Sequence, residues 1–234
     1  MTHGLGNLRG DAQYASAQPA SWTGGTRNGR APRRILQAGD HVFETGDAQS
    51  EAYIVRCGHL KSYRVHRDGE EQILGMLGPG DVLGFDALTG RPASYSVVAL
   101  EIASLERIPL GRDGIGEGDS AGYMNVVEGM YRELQRFSRL LYMDRHPAER
   151  RLAEFLLDFS REEGERGRSR IDLMLPFNRR DLACFLGLAP ETLSRTFSRF
   201  QEQGILSVDN REIHILEYEA LLLTAGEQPD SVPS

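Results

Sequence analysis

Residues 179–203 place the strongest constraint on the fold, because they predict two helices joined by a tight turn. Asn178 is a preferred helix-capping residue type, and the first helix is predicted over Asp181–Leu186. Gly187 then supplies the turn, and Pro190 suits the first position of the second helix, since its missing N–H would have no partner there. The apolar residues at helical spacing, which predict the buried stripe of the second helix, are Leu193, Phe197 and Phe200.

The second helix also carries a short polar face. Glu191, Ser194, Arg195 and Ser198 stand at positions i, i+3, i+4 and i+7, so they share one side of the helix. Their side chains donate and accept hydrogen bonds, which is the chemistry that reading a base edge requires.

A helix-turn-helix motif needs a small residue where its helices cross, a residue that turns sharply and a buried aliphatic residue. Ala183, Gly187 and Leu193 fill these three places at the spacing that such motifs use. Alternating apolar residues at 205–208 and 213–216 then predict a β-hairpin, the wing of a winged helix. A short strand over 171–175 precedes the motif, and 161–170 is predicted to be a charged loop.

Short strands separated by glycine turns are predicted between Ile35 and Pro109, with Asp68-Gly69 as a hairpin signal. This pattern is typical of a β-roll of jelly-roll type, large enough to enclose a small ligand. The strand candidates are Val42-Phe43, Ala52–Val55, Leu60–Val65, Gln72–Leu77, Val82–Phe85, Ser94–Leu100 and Ser104–Ile108.

A long helix is predicted from about Asp119 to Arg145, and Pro147 ends it. Its apolar residues are spaced alternately by four and three positions, the heptad pattern of a parallel dimer. The alternative is a helix packed only on its own domain. The predicted seam residues are Tyr123, Val127, Met130, Leu134, Phe137 and Leu141.

The chain therefore reads as an α+β protein with a β-roll over 31–118, a dimerisation helix over 119–146 and a winged helix-turn-helix over 147–225. Residues 1–30 and 226–234 are predicted to be disordered tails. No apolar run is long enough for a transmembrane helix and no secretory signal begins the chain, so we expect a cytoplasmic protein without membrane contact. A net charge of −7 disfavours non-specific coating of nucleic acid but allows a specific reader.

Three segments of the sequence carry a family resemblance: residues 80–87 (GDVLGFDA), 148–153 (AERRLA) and 186–195 (LGLAPETLSR). With these segments, and over about residues 33–222, the sequence resembles the CRP/FNR family of bacterial transcription regulators, and its FNR and FixK-like branch most closely. The resemblance implies a sequence-specific regulator, an activator of anaerobic, microaerobic or nitrogen-oxide responses, that acts as a homodimer on double-stranded DNA and contacts RNA polymerase. It does not imply an enzyme, and no nucleophile–base set or phosphate-binding loop is found in the sequence.

The resemblance places Glu191, Ser194 and Arg195 at the positions with which FNR-like proteins read a TTGAT half-site, so the expected operator is TTGAT-N4-ATCAA. Arginine can donate a fork to guanine, glutamate can accept from cytosine, and serine can contact thymine or its neighbour. The structural alternatives are a helix-dipole role for Glu191 and an ion pair between Glu191 and Arg195. Phosphate contacts or solvated surface are equally expected for Arg180, Thr192, Ser198 and Arg199.

No cofactor is expected. An iron–sulfur cluster of the 4Fe-4S type needs roughly four thiolates, whereas the chain has only Cys57 and Cys184. Residues 84–95 keep Asp86 and Arg91 but lack the adjacent Arg-Ser pair with which the cAMP-binding branch holds its ligand. The alternative function is that of a cyclic-nucleotide-dependent or haem-dependent regulator. Cys184 is either a redox-sensitive thiol or a small packing residue.

Overall fold

The computed structural model describes residues 33–108, 110–111, 114–115, 120–143 and 145–228. The predicted tail over 1–30 and the last six residues of the tail over 226–234 lie outside these ranges. None of the helices within them has the length and apolar content needed to cross a membrane.

The strands of the N-terminal domain are β1 (Arg33–Leu36), β2 (His41–Phe43), β3 (Ala52–Cys57), β4 (Leu60–Val65), β5 (Glu71–Leu77), β6 (Val82–Leu83), β7 (Ser96–Ala99) and β8 (Ala103–Ile108). They form a roll of two antiparallel four-stranded sheets, ordered β1-β8-β3-β6 and β2-β7-β4-β5. Apolar residues of both sheets face each other and form one core. A two-stranded ribbon, β9 (Leu110–Gly111) with β10 (Gly114–Ile115), follows the roll.

Two parts of the roll differ from the sequence prediction. Strand β1 was not predicted, because its two arginines obscure the alternation of apolar and polar residues that marks a strand. Arg34 is nevertheless buried, and its Nη1 donates to the Val42 carbonyl at 2.8 Å. The strand predicted over Val82–Phe85 ends at Leu83, since Gly84 has a φ of 84° and turns the chain into a short 3-10 helix over Phe85–Thr89.

Helix α1 (Ser120–Met143) packs one face on the roll. Val126 is buried there, and Gly129 lies so close to Val82 that a Cβ on it would stand 2.6 Å from the Val82 Cβ. Arg136 of the same helix reaches Asp81 at 2.9 Å, in the turn between β5 and β6. Contacts of both kinds fix α1 against the roll.

The elements of the C-terminal domain are α2 (Ala148–Glu165), β11 (Asp172–Met174), α3 (Arg179–Phe185), α4 (Pro190–Glu202), β12 (Leu206–Asp209), β13 (Glu212–Ile215) and α5 (Tyr218–Ala225). They include the predicted helix pair and hairpin, and the three strands form a sheet ordered β11-β13-β12. Residues 161–165 are helical instead of the predicted loop, because Glu163 is buried against Arg166 and Arg168 at the end of α2. Helix α5 was not predicted either.

The two domains touch where α3 packs on β5. Lys61, the single lysine of the chain, donates to Glu71 at 3.0 Å on its own sheet and to Asp181 of α3 at 3.1 Å. The side chains of Lys61 and Asp181 are only 13% and 11% exposed. Burial by itself lowers the pKa of Lys61, but the two carboxylates outweigh it and leave the pKa raised. The ammonium therefore stays charged and joins the domains.

We predict that Lys61→Met weakens the contact between α3 and β5, because Asp181 keeps a partly buried carboxylate without its ammonium partner. The Sγ of Cys184 donates to the Glu71 carbonyl at 3.2 Å beside this contact. Alkylation of Cys184 by iodoacetamide should therefore accelerate by about 5- to 30-fold, the equivalent of about 1–2 kcal/mol. Peptide mass spectrometry separates Cys184 from Cys57.

The matched control is Lys61→Arg, which keeps a positive charge and should keep the alkylation rate of the unchanged protein. Equal alkylation rates in Lys61→Met and the unchanged protein would contradict the prediction.

Candidate nucleic-acid interface

The turn between α3 and α4 has the geometry that its residue types predict. Asn178 caps α3, since its Oδ1 accepts the backbone N–H of Asp181 at 2.7 Å. Gly187 has a φ of 62°, and the next N–H, that of Leu188, closes on the Ala183 carbonyl at 2.9 Å. Pro190 opens α4 at its first helical position.

The reading helix, as we name α4, buries one face and exposes the other. Leu193, Phe197 and Phe200 are almost fully buried in the core of the C-terminal domain. The opposite side is exposed along its length, which turns the predicted polar face away from the protein. Its exposed residues are Glu191, Thr192, Ser194, Arg195, Ser198 and Arg199.

Arg195 lies on this exposed face and makes no hydrogen bond or ion pair with any residue in the described ranges, Glu191 included. The ion pair between Glu191 and Arg195, which was the structural alternative, is therefore absent from the described residues. Ser194 donates its hydroxyl to the Pro190 carbonyl at 2.9 Å, which fixes its oxygen near the start of the helix. A guanidinium free of internal partners can donate its fork to a ligand.

Arg199 is held differently, because its guanidinium forms an ion pair with Glu149 at the start of α2. The backbone N–H of Glu149 and then the Arg199 guanidinium stabilise this carboxylate and lower its pKa, so it stays charged at neutral pH. The pair lies in a groove between α2 and the reading helix that Thr192, Arg195 and Ser198 also line. Arg180 is exposed on α3.

Arg151 is a positioning residue that sequence reasoning missed. From α2 it donates to the carbonyls of Leu186 and Gly187, at 3.0 and 3.1 Å, and to that of His146 at 2.8 Å. It thereby satisfies carbonyls that the end of α3 leaves without helical partners. No spacing rule marks it, because its partners are backbone atoms of another element.

The predicted seam of α1 is exposed wherever the structure describes its side chains. Val127, Met130, Leu134 and Phe137 are 41%, 51%, 63% and 44% exposed. The side chains of Tyr123 and Leu141 lie outside the described residues. Four large apolar side chains in a row on one helix face mark an interaction surface.

Cys184 is exposed on α3, and its thiol faces the β-roll through the Glu71 carbonyl and not the reading helix. It is thus not the buried packing residue of the sequence-based alternative. In the described parts of the chain no three His, Cys, Asp or Glu side chains converge as metal ligands would.

In the roll, Asp86 lies in residues 84–95, the segment that corresponds to the ligand-binding stretch of the cAMP-binding branch, and its carboxylate is bonded to Ser94. Its Oδ2 accepts both the backbone N–H and the hydroxyl of Ser94, each at 2.8 Å. The backbone N–H of Gly84 donates to the Tyr95 hydroxyl at 3.2 Å. Burial raises the pKa of Tyr95 to about 12, so this hydroxyl stays neutral.

A helix-turn-helix with an exposed polar reading face, followed by a β-hairpin and preceded by a β-roll, defines a DNA-binding protein with a sensor-like domain. Comparison with known proteins agrees on both halves. Residues 150–223 match the Crp-like helix-turn-helix domain, and residues 33–112 match the cyclic nucleotide-binding domain.

The transcriptional activator Anr of Pseudomonas aeruginosa is 34% identical over 197 residues, which cover 83% of this chain and 81% of that protein. The fumarate and nitrate reduction regulatory protein of Vibrio cholerae is 33% identical over 201 residues, which cover 85% and 80%. The structure of FixK2 from Bradyrhizobium japonicum aligns with a TM-score of 0.70 and 25% identity over 83% of this chain and 96% of that one. The chain belongs to the CRP/FNR family of transcription regulators.

We predict that Glu149→Gln strengthens DNA binding, because it releases Arg199 for a phosphate and removes a negative charge beside the groove. The slope of log K against log salt should steepen by about 0.9, the value for one added phosphate contact. Fluorescence anisotropy over a salt series measures both effects.

The control is Glu154→Gln, the same change on the same helix, where Glu154 pairs with Arg150 and does not line the groove. It should leave the slope unchanged. An unchanged slope in Glu149→Gln would show that Arg199 contacts no phosphate.

Proposed function

We propose that the chain binds TTGAT-N4-ATCAA as a homodimer and activates transcription in an anaerobic, microaerobic or nitrogen-oxide response. The observation that carries the proposal is the exposed face of the reading helix, on which Arg195 has no partner in the described ranges. The context is supported by the names of the relatives, a transcriptional activator and a fumarate and nitrate reduction regulatory protein.

The chemistry of this face suits the half-site. Arg195 donates its two-pronged fork to O6 and N7 of guanine, the commonest specific contact in a major groove. Glu191 accepts from the amino group of the cytosine paired with that guanine, and Ser194 contacts thymine or its neighbour. Thr192, Ser198 and Arg180 surround these residues and contact the DNA backbone, and Arg199 does so when it leaves Glu149.

A second copy of the chain covers the exposed apolar seam of α1. Burial of apolar surface is the main favourable term in association, and four large side chains at heptad spacing match a parallel coiled coil. Two reading helices then lie about 34 Å apart, one turn of DNA, which is why the operator is a palindrome.

The sensor domain works without a cyclic nucleotide, haem or an iron–sulfur cluster. A cyclic phosphate needs free N–H donors and a guanidinium together, whereas the Ser94 N–H is already bonded to Asp86. A 4Fe-4S cluster needs roughly four thiolates, and the chain has two cysteines. The absorption spectrum and iron content of protein purified without oxygen test the proposed absence of haem and of a cluster, since a coloured, iron-containing product would contradict it.

RNA polymerase is the proposed protein partner. The resemblance points to the segment from Leu74 to Gly80, which lies in β5 and the turn after it. Part of this turn is engaged inside the molecule, because Arg166 donates to the Pro79 carbonyl at 3.1 Å. Contact with the polymerase would therefore use the side of the turn away from α2.

Arg195→Ala is predicted to weaken binding to the TTGAT duplex by about 1–3 kcal/mol and to abolish the preference for guanine over adenine at its third position. Gel shifts with TTGAT and TTAAT half-sites measure both effects. Arg180→Ala is the matched control, since a backbone contact should weaken binding to both duplexes equally. A variant without Arg195 that still prefers guanine would overturn the assignment.

Leu134→Glu is predicted to dissociate the dimer, because it places a charge in the middle of the apolar seam. Analytical ultracentrifugation should show a monomer, and binding to the palindrome should fall with it. Gln135→Glu adds the same charge on the adjacent exposed position outside the seam and should stay dimeric. A dimeric Leu134→Glu variant would place the interface elsewhere.

A further inference from the structure

Arg179 connects three parts of the DNA-binding domain. Its backbone begins α3, and its guanidinium carbon lies 3.7 Å from the ring centroid of Phe197 in the reading helix. Its Nη2 donates to the carbonyl of Asn210 at 2.8 Å, in the turn of the β12–β13 hairpin, which we call the wing.

The guanidinium is placed for internal contacts and not for a phosphate. One of its faces covers Phe197, and Nη1 is buried without a hydrogen-bond partner in the described residues. Burial lowers the pKa of Arg179, which is the effect of a cation withdrawn from water. The neighbouring Arg180, by contrast, is exposed.

The wing turn depends on few tethers. Asn210 adopts a φ of 53°, a left-handed conformation that asparagine tolerates better than most residues. The carbonyl of Arg211 accepts the Leu175 N–H at 2.9 Å, which ties the turn to the segment after β11. The bond from Arg179 is the tether that ties the turn to α3 and, through Phe197, to the reading helix.

We propose that Arg179 is a positioning residue, which holds the wing against the reading helix so that both meet DNA together, and that Arg179 does not itself touch DNA. The proposal rests on the DNA-binding function and adds a residue that none of the base or backbone assignments includes. A planar guanidinium is required, because it stacks on a ring and donates sideways at the same time, which the compact ammonium of lysine cannot do.

The test compares Arg179→Lys with Arg179→Gln in the full-length protein, on the duplex that the unchanged protein selects from a randomised pool. The outcome then does not depend on the proposed half-site, and a selected sequence other than TTGAT would count against that half-site alone. Both variants should lose about 5- to 30-fold in affinity, to a similar extent. Hydroxyl-radical footprints should lose the protection given by the wing and keep that given by the reading helix.

Arg180→Lys and Arg180→Gln form the matched control pair. If Arg180 contacts a phosphate, Arg180→Lys should preserve most of the affinity for DNA. Arg180→Gln should lose that affinity and flatten the slope of log K against log salt by about one phosphate contact. If Arg179 behaved in this way, with lysine restoring affinity, it would be a phosphate ligand and the proposal would be wrong.

A double-mutant cycle with Arg211→Ala, at the tip of the wing, completes the test. Arg211→Ala should weaken binding in the unchanged protein but have little further effect beside Arg179→Lys, because the wing is already displaced. Additive losses, or no loss from Arg211→Ala alone, would overturn the proposal. If Arg179→Lys fails to fold, Phe197→Leu removes the ring under the guanidinium at small cost in core volume and should show the same coupling.

Discussion

The buried stripe of the reading helix is the contact on which the rest of the DNA-binding surface depends. Leu193, Phe197 and Phe200 are each less than 5% exposed, so rotation of α4 about its axis would bring apolar surface into water. Because the helix has 3.6 residues per turn, burying this stripe forces Glu191, Ser194 and Arg195 outward. The orientation of the reading face follows from packing on the other side of the same helix.

Polar contacts then hold the frame around that helix. Arg151 bonds the carbonyls of the turn, and Arg179 joins α3, the reading helix and the wing. Between the domains, Lys61 reaches Asp181, while Arg136 links α1 to Asp81 of the roll. Burial alone would lower the pKa of Arg136, but Asp81 and Glu133 outweigh it and raise the pKa, so the link remains charged. Each of these arginine and lysine side chains therefore connects elements that are far apart in sequence.

Much of the fold was predictable because its signals are local. Asn178, Gly187 and Pro190 cap, turn and start the helix pair, and the glycine turns separate the strands of the roll. The errors arose where distant residues decide the local structure. Residues 161–165 read as a loop because Gly164 follows two glutamates, yet Glu163 is held by arginines beyond the helix end and the helix continues. Strand β1 needed carbonyls of β2 to accommodate Arg34.

The sequence by itself determined which residues share the polar face of the reading helix and which share the apolar face of α1, because helical periodicity depends on spacing alone. Only the tertiary structure decided which of those polar residues are free. Arg195 and Arg199 are four residues apart on the same face, but α2 places Glu149 against Arg199 and leaves Arg195 without a partner in the described chain. The tertiary structure likewise turned Cys184 towards the roll and Arg179 towards the wing, since such contacts depend on how separate elements pack.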